Sequence, residues 1–289
     1  MSDTKRWRLA AASLLALVSL WATWAFSPIL HGYFLSDDFV PLVLFREWQD
    51  EGRLANALAA KFWGSLDAGT NLFYRPLSYL TFAINYLASG LDAKPWMATE
   101  VALHVANGLL VGAIGARLAD EKPGARALAA ATLGAALFLF AAPGVEVLAW
   151  ISGRFDATAT FFTLLTCLIF LSSRRALDLP WWLSLASAEA AFLCKESAAI
   201  VPFAILALAR LRADAVRAPT FAARWIAAAR HAAPWLALAA LYLLSRYAFF
   251  GSATRVYGTS NPLASMLSAG YWRDVLDSAP PWLAAQFRP

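Results

Sequence analysis

Long apolar segments alternate with short polar connections along most of this chain. The first apolar segment, at 9–30, carries no charge and is long enough, at about 1.5 Å per residue, to cross a bilayer core of about 30 Å. Further apolar segments follow at 76–90, 96–118, 127–142, 157–172, 181–194, 198–209 and 232–250. The pattern predicts an all-α, polytopic membrane protein.

Positively charged connections indicate how many of these segments cross the membrane. Basic residues precede the first segment, which favours a cytoplasmic N-terminus. The connections at 117–126, 174–175 and 210–230 are also rich in basic residues, and all three become cytoplasmic only if one early segment does not cross. Segment 76–90 is short and contains Asn85, so we predict that it is a re-entrant or interfacial helix. About seven transmembrane helices then remain.

This topology predicts one membrane module over residues 1–250. Its first outer loop, at 31–95, is expected to contain interfacial helices, including an amphipathic helix over 39–62 that is interrupted at Gly52. Residues 251–289 are expected to form an outer tail, and the chain is expected to continue beyond it or to be truncated.

Composition supports the membrane class and excludes others. The chain is 60% hydrophobic and 15% charged, and it contains 13 Trp. Its net charge of +5 does not indicate nucleic-acid binding, because the basic residues lie in short loops between spans. Cys167 and Cys194 lie in apolar segments, which argues against a disulfide framework. We therefore expect membrane lipids, and no nucleic acid, around the protein.

Polar residues inside or beside apolar spans are costly, so each is a candidate functional residue. The predicted topology gathers them at the outer face from five separate parts of the chain. They are Asp37, Asp38, Arg75, Glu100, His104, Glu146, Arg154, Asp156, Lys195 and Glu196.

The acidic pair Asp37 and Asp38 follows directly after the first span. An enzyme acting on a lipid-linked substrate needs a base at this position, close to the membrane surface. The alternative is that Ser36 and the pair cap a helix beginning at Phe39. We favour catalysis over capping alone, and the two roles are compatible.

Other candidates also have structural alternatives. Arg154 and Asp156 are as well explained by an interfacial ion pair as by contact with a substrate. Glu100 and His104 lie one helical turn apart, but two residues do not make a metal site, so a hydrogen-bonded pair is the better prediction.

Taken in order, these motifs resemble the GT-C class of integral-membrane glycosyltransferases, in particular the protein O-mannosyltransferase-like group that includes the transmembrane and TPR-repeat mannosyltransferases. The resemblance extends from Ser36 to about Pro202. It is carried by Asp37-Asp38, Tyr74-Arg75-Pro76-Leu77-Ser78 through Asn85-Tyr86, Ala102-Leu103-His104-Val105-Ala106-Asn107, Glu146 to Asp156 ending in Ser152-Gly153-Arg154-Phe155-Asp156, and Cys194-Lys195-Glu196-Ser197.

The resemblance implies transfer of a sugar, mannose among the candidates, from a polyprenyl-phosphate donor to a hydroxyl of a protein, glycan or lipid. It also implies Asp37 as general base, and direct displacement by the acceptor would invert the anomeric carbon. The predicted topology makes the site face outward, and we expect the membrane to be a bacterial inner membrane. Lys195 and Arg75 would neutralise the leaving phosphate, and Arg154 could share this role. No definite cofactor is implied, and a divalent metal is left open. The remaining substrate-binding candidates are His104, Glu146, Asp156 and Glu196.

Two alternatives come from other functional classes. A transporter or flippase for a lipid-linked or anionic substrate would use the same charges to bind rather than to react, and a membrane scaffold would use the outer loop to hold a partner. Transporters place charged sites near the midplane within repeated halves. The predicted charges lie at one face and no repeat is visible, which favours the enzyme.

Overall fold

The computed structural model describes residues 3–52, 74–119, 124–141, 143–173, 175–211 and 220–250. These residues are helical and contain no β-strand, which confirms the all-α prediction. Their α-helices are α1 (Asp3–Ala25), α2 (Phe39–Asp50), α3 (Pro76–Ser89), α4 (Ala93–Ala119), α5 (Ala125–Leu139), α6 (Pro143–Ala149), α7 (Arg154–Ser172), α8 (Leu179–Phe192), α9 (Val201–Arg210) and α10 (Phe221–Phe250).

Four helices among the described residues are long and apolar enough to cross a membrane: α1, α4, α7 and α10. The others in the apolar segments are shorter, with 15 residues in α5, 14 in α8 and 10 in α9. The polytopic class is thus confirmed, but the predicted count of seven spans is not. The 14 residues of α3 extend about 21 Å, less than a bilayer core of about 30 Å.

The chain divides into two compact units. The first comprises residues 1–62 and 74–240, and the second comprises residues 63–73 and 241–289. The described part of the second unit is the end of α10, at 241–250. Every candidate site residue lies in the first unit.

Helix α2, at the start of the predicted outer loop, agrees with the predicted helix from Phe39 as far as Asp50. Helix α2 buries one face through Val40, Leu42, Leu44 and Phe45, and it is followed by Gly52 at a φ of +68°. The Phe45 ring contacts the aromatic rings of α3, so α2 packs on α3. The predicted continuation of this helix at 53–62 and the predicted tail at 251–289 lie outside the described residues.

Helix α4 forms the centre of the first unit and packs against α1, α5 and α7. Its glycines allow α5 to approach at backbone distance: a Cβ atom on Gly112 would lie 2.7 Å from the Ala131 carbonyl oxygen, and one on Gly115 would lie 2.9 Å from that of Ala130. Small residues at helix interfaces permit this close packing in membranes, where there is no hydrophobic force between helices. The α4–α5 contact therefore depends on the absence of a side chain.

This packing predicts opposite effects for two glycine substitutions. Gly112→Ala should lower the free energy of unfolding by about 1–3 kcal/mol, because its methyl group collides with a backbone oxygen. Gly134→Ala, on α5, is the matched control, because its Cβ would lie 3.6 Å from the nearest atom of Val111, in ordinary contact. The control should be neutral or stabilising, since alanine favours helix over glycine. Thermal unfolding in detergent measures both, and equal tolerance of the two changes would contradict this packing.

Candidate functional site

The polar contacts of the first unit meet at the beginning of α7, at residues 152–158, which we call the α7 head. A 3-10 turn at Ile151–Gly153 leads directly into α7. Gly153 is required by this turn, because a Cβ atom there would lie 2.7 Å from the carbonyl oxygen of Val147 on α6. The turn is therefore pressed against α6, and this contact fixes where the α7 head begins.

Arg154 is fully buried at the centre of the α7 head. Its Nε donates to Glu100 Oε1 of α4 at 2.6 Å. Its Nη1 donates to the Asn85 side-chain oxygen and, at 3.2 Å, to the Thr81 carbonyl oxygen, while its Nη2 donates to the Trp96 carbonyl oxygen at 3.2 Å. One guanidinium thus joins α3, α4 and α7, and this environment favours a structural role over contact with a substrate.

Two side-chain pairs predicted from the sequence are not formed. Arg154 pairs with Glu100 rather than with Asp156, and Asp156 pairs with Lys195. The prediction of a Glu100–His104 pair is wrong for the same reason, because the Glu100 carboxylate is turned toward the guanidinium. His104 is buried, and its Nε2–H donates to the Leu139 carbonyl oxygen at 3.0 Å.

The two carboxylates of the acidic pair have different environments. Asp38 is 1% exposed, and its Oδ1 accepts hydrogen bonds from Ser152 N and Ser152 Oγ, both at 2.7 Å. Its Oδ2 accepts a bond from Leu35 N at 2.9 Å. Asp37 is half-buried, and its Oδ1 accepts a bond from the neighbouring Ser36 hydroxyl at 3.1 Å. Asp38 therefore anchors the segment, while the Asp37 carboxylate retains access to solvent.

The predicted capping role is not observed for Asp38. Helix α2 begins at Phe39, but the Asp38 side chain makes no capping hydrogen bond to it. Instead the Asp38 carboxylate reaches back to Leu35 and across to the α7 head. Ser36 has a φ of +46°, in the left-handed region, so the chain turns sharply before Asp37.

Lys195 and Glu196 are consecutive residues that hold two different elements. Lys195 Nζ lies 2.6 Å from both carboxylate oxygens of Asp156 in the α7 head. Glu196 Oε2 accepts bonds from Arg75 Nε at 3.1 Å and Arg75 Nη2 at 2.8 Å, just before α3. The side chains of Lys195 and Asp156 are 26% and 41% exposed, whereas those of Arg75 and Glu196 are 8% and 16% exposed. Lys195 is therefore the more accessible of the two cations.

Uncharged polar residues also hold the α7 head. Three of them, Ser78, Asn107 and Ser152, stand in the motifs quoted from the sequence, but no structural role was predicted for them from the sequence. The Ser78 and Thr158 hydroxyl oxygens lie 2.7 Å apart, and Asn107 Nδ2 donates to the Ala157 carbonyl oxygen at 3.0 Å. Ser152 is also in this group. The signal available in the sequence is a polar side chain inside or beside an otherwise apolar helix, which is weaker than a charge.

Glu146 is not brought into these contacts. It is exposed on α6, away from the hydrogen bonds described above. Within the described ranges, no group of three or more His, Cys, Asp or Glu side chains is arranged to hold a metal ion. Glu100 and His104 instead have the protein partners given above.

The chain is similar to proteins named as O-mannosyl-transferases, which confirms the resemblance stated from the sequence. It is 31% identical over 195 residues to Protein O-mannosyl-transferase Tmtc1 of Drosophila melanogaster, covering 66% of this chain and 21% of the relative. It is 33% identical over 189 residues to Protein O-mannosyl-transferase TMTC4 of Homo sapiens, covering 57% of this chain and 25% of the relative. It is 37% identical over 150 residues to Protein O-mannosyl-transferase Tmtc2 of Drosophila melanogaster, covering 47% of this chain and 15% of the relative.

The matched regions thus span a quarter or less of the length of these curated relatives. No model of a protein family matches the chain, and no solved structure gives a significant match.

The buried ion pair generates a prediction about stability. Arg154→Met should lower the free energy of unfolding by roughly 3–5 kcal/mol, because it leaves the Glu100 carboxylate buried without its cation. The control is Asp3→Asn, which removes the exposed partner of Arg6 and should change stability little. Thermal unfolding of both variants in the same detergent gives the comparison. A small effect of Arg154→Met would show that the α7 head does not depend on this pair.

Proposed function

We propose that this chain carries the catalytic membrane module of a glycosyltransferase. It would move a sugar, mannose in the first instance, from a polyprenyl-phosphate donor to a hydroxyl group of a protein acceptor. The similarity to three proteins named protein O-mannosyl-transferases supports the sugar and the acceptor class. The proposed location is a bacterial inner membrane, with a cytoplasmic N-terminus and the site at the outer face.

The observation that carries the proposal is the unequal environment of the acidic pair. A general base must reach the acceptor's proton, so it needs a carboxylate that a substrate can approach. Asp38 is buried and takes three hydrogen bonds, but Asp37 is half-exposed, with its described hydrogen bond coming from within its own turn. These unequal environments support the proposal that Asp37 accepts the proton and that Asp38 holds it in place.

The proposed reaction is a single displacement at the anomeric carbon. The acceptor oxygen forms a bond to this carbon while the bond from the carbon to the phosphate oxygen of the donor breaks. The acceptor's proton passes to the Asp37 carboxylate, and the bonding electrons leave with the polyprenyl phosphate. Direct attack from the side opposite the leaving group inverts the anomeric centre.

The leaving phosphate needs a cation, and Lys195 is the proposed one. Its pair with Asp156 is partly exposed, so a phosphate can replace the carboxylate without a buried charge losing its partner. Arg75 is held more deeply by Glu196, and its guanidinium lies over the Phe155 ring at 4.9 Å. We therefore assign Arg75 a supporting role behind Lys195.

The role of Asp37 is tested by Asp37→Asn. The amide keeps the shape of the side chain and a hydrogen-bond acceptor for Ser36, so folding should be unchanged. Because the amide does not accept a proton, transfer should fall by roughly 10²–10⁴-fold. The control is Asp50→Asn, at the exposed end of α2, which should transfer sugar at the wild-type rate. Transfer is measured as labelled sugar on the acceptor, and normal turnover by Asp37→Asn would remove the central role of this residue.

The role of Lys195 is tested by a pair of opposite changes. Lys195→Met should raise the KM for the donor, because it removes the cation. Asp156→Asn should lower this KM, because the carboxylate no longer competes with the donor phosphate for the same ammonium group. Lys94→Met, which removes an exposed lysine of α4, is the control and should leave the KM unchanged. If both Lys195→Met and Asp156→Asn leave the KM unchanged, their ion pair is structural.

A further inference from the structure

We propose that Ser152 is a positioning residue that sets the location of the Asp37 carboxylate through Asp38. This inference rests on the proposed function, because it treats Asp37 as the general base. Ser152 itself would not touch the substrate. Its effect would pass through one buried carboxylate to the neighbouring half-exposed one.

The contact between Ser152 and Asp38 joins two distant parts of the chain. Both the backbone N–H and the hydroxyl of Ser152 donate to Asp38 Oδ1, at 2.7 Å each. Both residues are buried, at 5% and 1% exposure. Hydrogen bonds to an ionised acceptor are stronger than neutral ones, and low local dielectric strengthens them further.

The segment that holds Asp37 is a small closed turn. Leu35 N donates to the Asp38 carboxylate, and Asp38 N donates to the Leu35 carbonyl oxygen, each at 2.9 Å. Both bonds join Leu35 to Asp38, so the turn encloses Ser36 and Asp37. Phe39 N, at the start of α2, donates to the Ser36 and Asp37 carbonyl oxygens. Among the other hydrogen bonds described for residues 35–38, those from Ser152 are the ones that reach a distant part of the chain. The direction of Asp37 is thus set by the turn, which continues into α2 on one side and is joined to the α7 head by Ser152 on the other.

Ser152 is itself held firmly. The next residue, Gly153, packs against the backbone of Val147, and Arg154 is fixed by its buried contact with Glu100. Asp156, which pairs with Lys195, follows four residues after Ser152. The α7 head is therefore one short segment with two functions. Its Ser152 holds the turn that contains the proposed base, Asp37, and its Asp156 pairs with the proposed phosphate cation, Lys195.

Loss of the Ser152 hydroxyl should loosen the turn without unfolding it. In Ser152→Ala the backbone N–H still donates to Asp38, so one of the two bonds from Ser152 remains. Small displacements of a reacting group reduce turnover strongly, up to about 10²-fold for 1 Å. We expect the kcat of Ser152→Ala to fall about 10-fold or more, with little change in the donor KM, because Lys195 is untouched.

The experiment combines a mobility measurement with kinetics on the full chain in lipid nanodiscs. A nitroxide spin label is attached at Leu35→Cys, a position with 54% exposure, while the native Cys167 and Cys194 are buried. Ser152→Ala should increase the mobility of the label in the electron paramagnetic resonance spectrum. Kinetics with a polyprenyl-phosphate mannose, measured without the label, should show the fall in kcat, and Ser152→Thr should restore much of it by returning a hydroxyl.

The matched control is Ser184→Ala, which also removes a buried serine hydroxyl. Ser184 Oγ donates to the Thr166 carbonyl oxygen at 3.0 Å, between α8 and α7. This control should change neither the mobility of the label nor the kcat. A Ser152→Ala protein with an unchanged label spectrum, or with a wild-type kcat, overturns the positioning role.

The two proposals fail in different ways. If the wild-type protein transfers no sugar from the polyprenyl-phosphate donor, the proposed function fails, and the catalytic part of this inference fails with it. The spin label still reports whether Ser152 holds the turn. If the wild-type protein is active and Ser152→Ala matches it, the proposed function stands and the positioning role alone is wrong.

Discussion

The buried guanidinium of Arg154 is the interaction on which the described site depends. A cation without exposure to solvent is strongly unfavourable unless protein atoms replace its water. The structure supplies the Glu100 carboxylate, the Asn85 side-chain oxygen and two backbone carbonyl oxygens. These acceptors belong to α3 and α4, so satisfying one side chain fixes three helices relative to one another. The residues immediately before and after Arg154 are placed as a consequence.

Exposure divides the charged residues of this region into two groups. Arg154–Glu100 is fully buried and Arg75–Glu196 nearly so, and breaking such pairs for a substrate would be costly. Asp37 and the Lys195–Asp156 pair are partly exposed and can exchange partners at a lower cost. This division underlies the assignment of Asp37 as base and Lys195 as phosphate ligand. It also explains why the inner pairs are better regarded as the support of the site.

Much of this arrangement could be predicted from the sequence, because charges in an apolar chain must find partners. The lengths of the apolar segments predict the helical class. The charges predict that polar residues from separate segments gather, as Asp38, Arg75, Arg154 and Lys195 do with residues of other elements. The partners themselves were harder to predict. Arg154 and Asp156 are two residues apart, and on a helix such residues do not face each other. Glu100 and His104 are correctly spaced for a pair, but a buried cation from another helix takes the carboxylate.

Other features lay beyond the reach of sequence patterns. Ser152 carries no charge, and its importance comes from a contact with Asp38 across 114 residues of chain. The unequal exposure of Asp37 and Asp38 depends on the left-handed Ser36 and on the packing of the α7 head, neither of which hydropathy reveals. The number of spans was also not recoverable, because apolar segments of similar appearance become helices of 10 to 30 residues.

The central claim is that this protein breaks the sugar–phosphate bond of a lipid-linked donor. The most direct measurement supplies the wild-type protein, in vesicles, with a polyprenyl-phosphate mannose carrying isotopic label in the sugar, together with a hydroxyl-containing peptide. Nuclear magnetic resonance then gives the position and anomeric configuration of the labelled sugar. The account predicts mannose on a peptide hydroxyl with the configuration inverted relative to the donor. An intact donor that has only moved from one leaflet to the other would contradict it and would identify a flippase instead.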